Sequence, residues 1–132
     1  MHEYKAKLIR VIDGDTIELN NLKRVFINPE LTIVEAESCN FNEGCLSIPE
    51  IREDIKRVDS IKIDFYDEKF NFQSLNFSGI LARVILHEYD HIEGILFTDR
   101  ISKFKKTLIQ KKLNKISRGQ IEVNYPMKFF KK

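Results

Sequence analysis

The stretch SGILARVILHEYDHIEG, residues 78–94, decides how this chain is read. Ser78 is a favoured N-cap residue type and Gly94 stands where a helix ends on a C′ glycine, so a helix is expected between them. Leu81, Val84, Ile85 and Ile92 recur at helical spacing, and Ile80, Ala82 and Leu86 add apolar residues on other sides. A helix apolar around most of its circumference belongs in the middle of a fold. Within it lies His87-Glu88-Tyr89-Asp90-His91, which holds two of the chain's three histidines. Residues four apart share a helical face, so both imidazoles can reach one metal ion. The bland alternative, two satisfied core histidines, is disfavoured because buried polar rings are costly without partners. Glu88 stands beside them and is the residue type that takes a proton from water activated at a metal.

A metal centre of this kind takes a third protein ligand and keeps one position for water. Glu43-Gly44-Cys45-Leu46-Ser47 offers Cys45, with Gly44 permitting tight backbone geometry beside it. A thiolate with two imidazoles suits Zn²⁺ or Fe²⁺. Alone, Cys45 would read as a buried apolar thiol, as Cys39 does.

Upstream of the helix the chain reads as strands. In KAKLIRVIDGDTIEL, β-branched arms flank Asp13-Gly14, a strong hairpin signal. Arg24 to Asn28 is a third strand, stopped by Pro29, with two more expected at Leu31 to Glu37 and Leu46 to Ile48. Ile61 to Tyr66 and Phe70 to Phe77 form a second hairpin around Asp67-Glu68-Lys69. Downstream, a second amphipathic helix runs from about Ser102 to Ile116, with Phe104, Leu108, Ile109, Leu113 and Ile116 on one face. Gly119 ends it, and Ile121 to Phe130 reads as an extended tail. Strands followed by helices indicate an α+β class, with antiparallel strands around the central helix and the second helix near the C-terminus.

At 132 residues the chain reads as one domain, residues 1–132, without repeats or a linker. It contains no apolar run long enough to span a membrane and no apolar signal segment at its start. Two cysteines without a secretory signal point to a reducing, cytoplasmic setting. The net charge of +2 hides an asymmetry: residues 1–102 carry −7 and residues 103–132 carry +9. A basic tail on an acidic body can meet an anionic partner such as RNA, or can be a solvated amphipathic helix.

EGCLS (43–47) and HEYDH (87–91) resemble two of the three signature motifs of bacterial peptide deformylases. The similarity extends through RVFINPE (24–30), FNEGCLSIPEIRED (41–54), LARVILHEYDHIEGILFTDRIS (81–102) and KKLNKISRG (111–119), so it covers roughly residues 22–132. The resemblance implies that Cys45, His87 and His91 hold a divalent metal, Fe²⁺ in the native form and replaceable by Zn²⁺, Ni²⁺ or Co²⁺. It implies Glu88 as general acid/base and the backbone N–H of Leu46 as donor to the developing oxyanion. Gly44 and Arg52 fall at substrate-binding positions, and Asp90 with Arg57 can form a pair that steadies the ligand helix. The implied substrate is the N-formyl-Met end of a nascent polypeptide, and the products are formate and a free amino terminus. The basic segment 103–132 would contact the ribosome; neither DNA nor a membrane is an expected partner.

The sequence departs from the family at its start. The first family motif, G-x-G-L-A-A-x-Q, supplies a Gln as second oxyanion donor, and none of the five glycines here is spaced as G-x-G. Loss of one such donor costs roughly 10²–10³ in rate. Residues 1–21 are therefore atypical, either a shortened family strand or a foreign start, and the domain is expected to be incomplete at its N-terminal end. YKAKLIRVIDGDTIEL also resembles the opening of staphylococcal-type nucleases, with Asp15 as the calcium-binding residue. Asn28-Pro29 stands where that pattern needs its next Asp, so a plain hairpin is the better reading. The alternative to turnover is a catalytically impaired, deformylase-like module that binds ribosomes or peptides. A zinc protease of the H-E-x-x-H type ranks below both.

Overall fold

A computed structural model describes residues 8–13, 16–19, 24–34 and 37–129, the first two stretches by backbone alone. The strands run in the order β1 (Leu8–Asp13), β2 (Thr16–Leu19), β3 (Arg24–Ile33), β4 (Ser38–Cys45), β5 (Ile48–Val58), β6 (Ser60–Tyr66) and β7 (Phe72–Ser78). Helices α1 (Gly79–Ile92) and α2 (Lys103–Ser117) follow, with a 3₁₀ turn at Phe97–Asp99 before α2. The class is α+β with antiparallel strands, as the order of sequence patterns indicates. The chain packs as two compact units, Met1–Cys39 with Arg57–Ile95 and Asn40–Lys56 with Leu96–Lys132.

In the first unit five strands form an antiparallel sheet in the order β1-β2-β3-β6-β7. The hairpin read from KAKLIRVIDGDTIEL is present in the pairing of Asp13 with Thr16; Gly14 and Asp15 themselves lie outside the described residues. Pro29 does not stop the third strand. β3 continues to Ile33, and Pro29 sits in a register irregularity between Ile27 and Glu30, with Asn28 at φ 48°. A bulge is where a strand tolerates a residue that cannot donate to the ladder. The strand expected at Leu31 to Glu37 is thereby the second half of β3, with Glu35 and Ala36 outside the described residues.

Alternation along β6 turns Ile61, Ile63 and Phe65 inward. They meet Phe26, Ala82, Ile85 and Leu86 in one cluster. Phe26 meets Phe65 edge-on with ring centroids 4.4 Å apart. Each of the Ile, Leu and Phe side chains contributes about 1.5–3 kcal/mol when fully buried. This cluster seats α1 against the sheet. Gly79 opens the helix at φ 61°, its N–H donating to the Asp59 carbonyl at 2.8 Å. Ser78 is the N-cap by position, though its side chain makes no capping bond. At the other end Gly94 adopts φ 73°, the Gly94 N–H donates to His91 O and the Ile95 N–H donates to Asp90 O. These are the two bonds of a Schellman ending.

In the β6–β7 hairpin the Asp67 carboxylate accepts from the N–H groups of Lys69 and Asn71, so the turn is longer than the three polar residues suggest. Phe70, expected at the start of β7, is instead in the turn at φ 59°.

The second unit departs most from expectation. Leu46 to Ile48 is not a strand; Leu46-Ser47 is the turn joining β4 to β5. Ile48, Ile51 and Ile55 of β5 pack with Phe97 and Ile116, and Cys45, Ile109, Leu113 and Ile121 lie against them. The expected face of α2 is thus half right, because Phe104 and Leu108 are 73% and 67% exposed. Ser102 caps α2 by accepting from the Lys105 N–H, and Gly119 ends it at φ 68°. In the first unit, Cys39 is exposed, not the small core residue expected. The Arg83 guanidinium donates to its carbonyl at 2.7 Å.

Candidate metal centre

Helix α1 carries His87 and His91 one turn apart, with ring centroids 5.0 Å apart and planes at 75°. Both are half-buried, whereas Glu88 and Asp90 are buried. Asp90 accepts from Arg57 on β5 at 2.8 Å, in a pair whose side chains are almost fully enclosed. Arg57 and Asp90 were expected as a pair, and the contact anchors the segment that bears both histidines. His91 occupies the last turn of α1, where the helix dipole favours a cation. Between the histidines, burial holds the Tyr89 hydroxyl above its usual pKa, with Glu93 acting in the same direction and a hydrogen bond with the Leu31 backbone opposing.

Cys45 ends β4, and its Sγ lies 3.1 Å from Ser47 Oγ across the turn. Among the described residues one group of His, Cys and acidic side chains is composed to hold a metal ion. It is Cys45, His87 and His91, each offering one ligand atom, all within 4.8 Å of one another.

The hairpin that carries Cys45 also explains Gly44. A Cβ placed on Gly44 would lie 2.8 Å from Arg52 Nη1 and 3.4 Å from its Cγ and Cζ. The missing side chain leaves room for the guanidinium, which donates from Nε to Asn42 Oδ1 at 2.7 Å and from Nη2 to the Asn42 carbonyl at 3.1 Å. Asn42 in turn donates to Asp54 at 3.1 Å. Leu46 exposes its side chain, and its carbonyl accepts from the Tyr125 hydroxyl at 2.8 Å. Asn42 and Tyr125 are the residues that sequence reasoning missed. Neither stands in a chemical motif, and only the folded hairpin shows what they touch.

The basic segment is less free than its +9 charge suggests. Lys105 pairs with Glu53, Lys106 with Asp99, and Lys112 with Glu50, whose carbonyl it also meets at 2.9 Å. No helix among the described residues is long and apolar enough to cross a membrane.

An α+β fold with H-E-x-x-H on a central helix is the pattern of the metal-dependent hydrolases. Within that class the comparisons with known proteins agree. A polypeptide deformylase family model matches residues 3–107, taking in the first hairpin as well as both motifs. The chain belongs to the polypeptide deformylase family. The peptide deformylase of Christiangramia forsetii is 53% identical over 111 residues, covering 84% of this chain and 57% of that protein. That of Flavobacterium psychrophilum is 50% identical over 114 residues, covering 86% and 59%. Among solved structures, a Plasmodium falciparum peptide deformylase in complex with an inhibitor superposes with a TM-score of 0.71 at 33% identity, over 78% of this chain and 65% of that one. Arabidopsis thaliana peptide deformylase 1B with an inhibitor gives a TM-score of 0.74 at 31% identity, over 80% and 62%. The chain therefore spans less than three fifths of the length of these two curated relatives.

Proposed function

We propose that this chain performs the metal-dependent hydrolysis of the N-formyl group from the N-terminal formyl-methionine of nascent polypeptides. The observation that carries the reading is the grouping of Cys45, His87 and His91, with Glu88 adjacent on the same helix. One thiolate and two imidazoles form a donor set suited to Fe²⁺, with Zn²⁺, Ni²⁺ or Co²⁺ as substitutes, so the residues present fit a metal. Cys45, His87 and His91 would hold it. When bound, a metal there would supply Lewis acidity toward a carbonyl and toward water.

The protein's own groups supply the rest. Glu88 takes the proton of the attacking water and delivers it to the departing amine as the formyl C–N bond breaks, giving formate and a free amino terminus. Glu88 is buried on α1, one residue from His87. The Leu46 N–H donates to the formyl oxygen as charge develops there. Gly44 and Arg52 contact the peptide beyond the formyl group. The exposed cations of residues 103–132, Lys103, Lys111 and Lys115 among them, supply a ribosome contact in the cytoplasm.

The test is formate release from formyl-Met-Ala-Ser by protein loaded with Fe²⁺ or Ni²⁺. Wild type should exceed a Glu88→Ala variant of equal metal content. Equal rates for wild type and variant would overturn the proposal and leave a binding module, which salt-sensitive ribosome association without turnover would identify.

A further inference from the structure

The Leu46-Ser47 turn is exposed, and Leu46 itself leaves 65% of its surface in solvent, so core packing does little to fix its backbone. Leu46 nevertheless has the most demanding backbone task in the proposed reaction, since its N–H must point at the formyl oxygen. Its other peptide group is held. The Tyr125 hydroxyl donates to the Leu46 carbonyl at 2.8 Å, across 79 residues of sequence.

Tyr125 is itself anchored on both sides. Before it, Gly119 ends α2 at φ 68° and Ile121 packs against the core cluster of this unit. After it, Phe129 folds back on Gly119 so closely that a Cβ there would meet the Phe129 Cβ and Cγ at 3.2 Å. Pro126 restricts the Tyr125 backbone as well. A phenol on a tail fixed at both ends loses little entropy in making its bond. It can therefore add a fixed hold on a turn whose side chains face solvent. Ser47 Oγ at 3.1 Å from Cys45 Sγ ties the same turn to the proposed ligand.

We infer that Tyr125 is a positioning residue, its hydroxyl fixing the Leu46 carbonyl so that the neighbouring Leu46 N–H keeps its aim, with residues 120–129 as the strap that delivers it. The inference rests on the deformylase reading for its effect on catalysis. Tyr125 lies outside the segment matched by the family model, which ends at residue 107.

The test is Tyr125→Phe, which keeps the ring and removes only the donor. Two readouts are taken. The first, the carbonyl ¹³C resonance of Leu46 in isotopically labelled protein, is independent of turnover. Loss of the hydrogen bond should move it upfield while carbonyls elsewhere in β4 and β5 stay in place. The second is formate release compared with thioformate release from a thioformyl peptide, whose sulfur is a poorer acceptor. With formyl substrate kcat should fall about tenfold at unchanged KM and metal content, the worth of one well-placed hydrogen bond. With thioformyl substrate it should fall much less. A loss of folded fraction would slow both substrates by one factor, and that result overturns the positioning role. An unmoved Leu46 resonance overturns the contact itself. If wild type releases no formate, the deformylase reading fails and takes the positioning role with it, while the resonance still decides whether the strap exists.

Discussion

Arg57 Nη1 and Asp90 Oδ2 lie 2.8 Å apart with side chains only 3% and 6% exposed, so the helix that bears His87 and His91 is tied to β5 by an enclosed ion pair. Such a pair is strongly felt when one member is removed, because the other keeps its desolvation cost. Asp90→Leu should lower stability by about 3–5 kcal/mol, and Arg57→Met should do the same. The double variant Arg57→Met/Asp90→Leu should recover much of the loss, since neither charge is then buried. Urea unfolding of the four proteins checks this, and strictly additive single effects would contradict it. Metal affinity should fall by about 10–100-fold in the single variants, as for other residues that orient ligands, measurable by chelator competition.

Gly44 and Arg52 form a second relationship that substitution can read. Gly44→Ala would place a methyl group 2.8 Å from Arg52 Nη1, and the flexible guanidinium would give way, leaving Asn42. The cost is of the order of one or two hydrogen bonds, about 1–2 kcal/mol. In an Arg52→Ala background the same methyl group meets no guanidinium, so Gly44→Ala should be nearly neutral there. A double-mutant cycle on stability measures the coupling, and a coupling energy near zero would show that the two residues do not interact in solution.

How much of this was legible in the sequence depends on where the signal lay. The α1 helix was readable to within a residue, because apolar spacing, a C′ glycine and the histidine pair agree. The β6–β7 hairpin was readable because alternation is clean along Ile61, Ile63 and Phe65. β5 was not. Its apolar residues Ile48, Ile51 and Ile55 sit among Glu50, Arg52, Glu53, Asp54 and Lys56, with no strict period of two. Glu50 at φ 63° shows that this strand is locally irregular. Pro29 misled for a related reason, since a local breaker rule cannot see that a bulge will absorb it. At the candidate site, the three grouped side chains Cys45, His87 and His91 could be named in advance. Asn42 and Tyr125 act on backbone atoms or through a neighbour, which only long-range pairing reveals.

Metal addition should separate ligands from the acid/base. A ligand that binds only the folded state stabilises it by about 2.7 kcal/mol at a hundredfold excess over its Kd. Wild type and Glu88→Ala should therefore show the same rise in melting temperature on adding Ni²⁺, because Glu88 is not among the three grouped ligand atoms. Cys45→Ser, His87→Ala and His91→Ala should each lose most of that rise. Stripping metal with a chelator should reverse it. An undiminished rise in Cys45→Ser would remove Cys45 from the ligand set, and with it the distinction from a zinc protease.

Acid should loosen the start of α2 before the rest of its unit. Asp99 accepts from Lys106 Nζ at 2.6 Å and from the Leu96 N–H at 2.9 Å. Those bonds, the Lys106 one foremost, hold its pKa below the usual 3.8, with partial burial opposing. A carboxylate whose pKa is depressed by folding stabilises fully above its unfolded value. It loses that contribution as pH falls through the lower folded value. The stability difference between wild type and Asp99→Asn should thus be constant from about pH 7 to 5 and shrink steeply below about pH 4. Lys106→Met should flatten the same slope, because the largest cause of the shift is gone. Chemical denaturation at a series of pH values reads both, with high salt as a control. The pair is 41% exposed on each side, so screening should reduce but not abolish the effect. A difference that stays constant down to pH 2.5 would mean that Asp99 titrates normally and that the bond to Lys106 contributes nothing in solution.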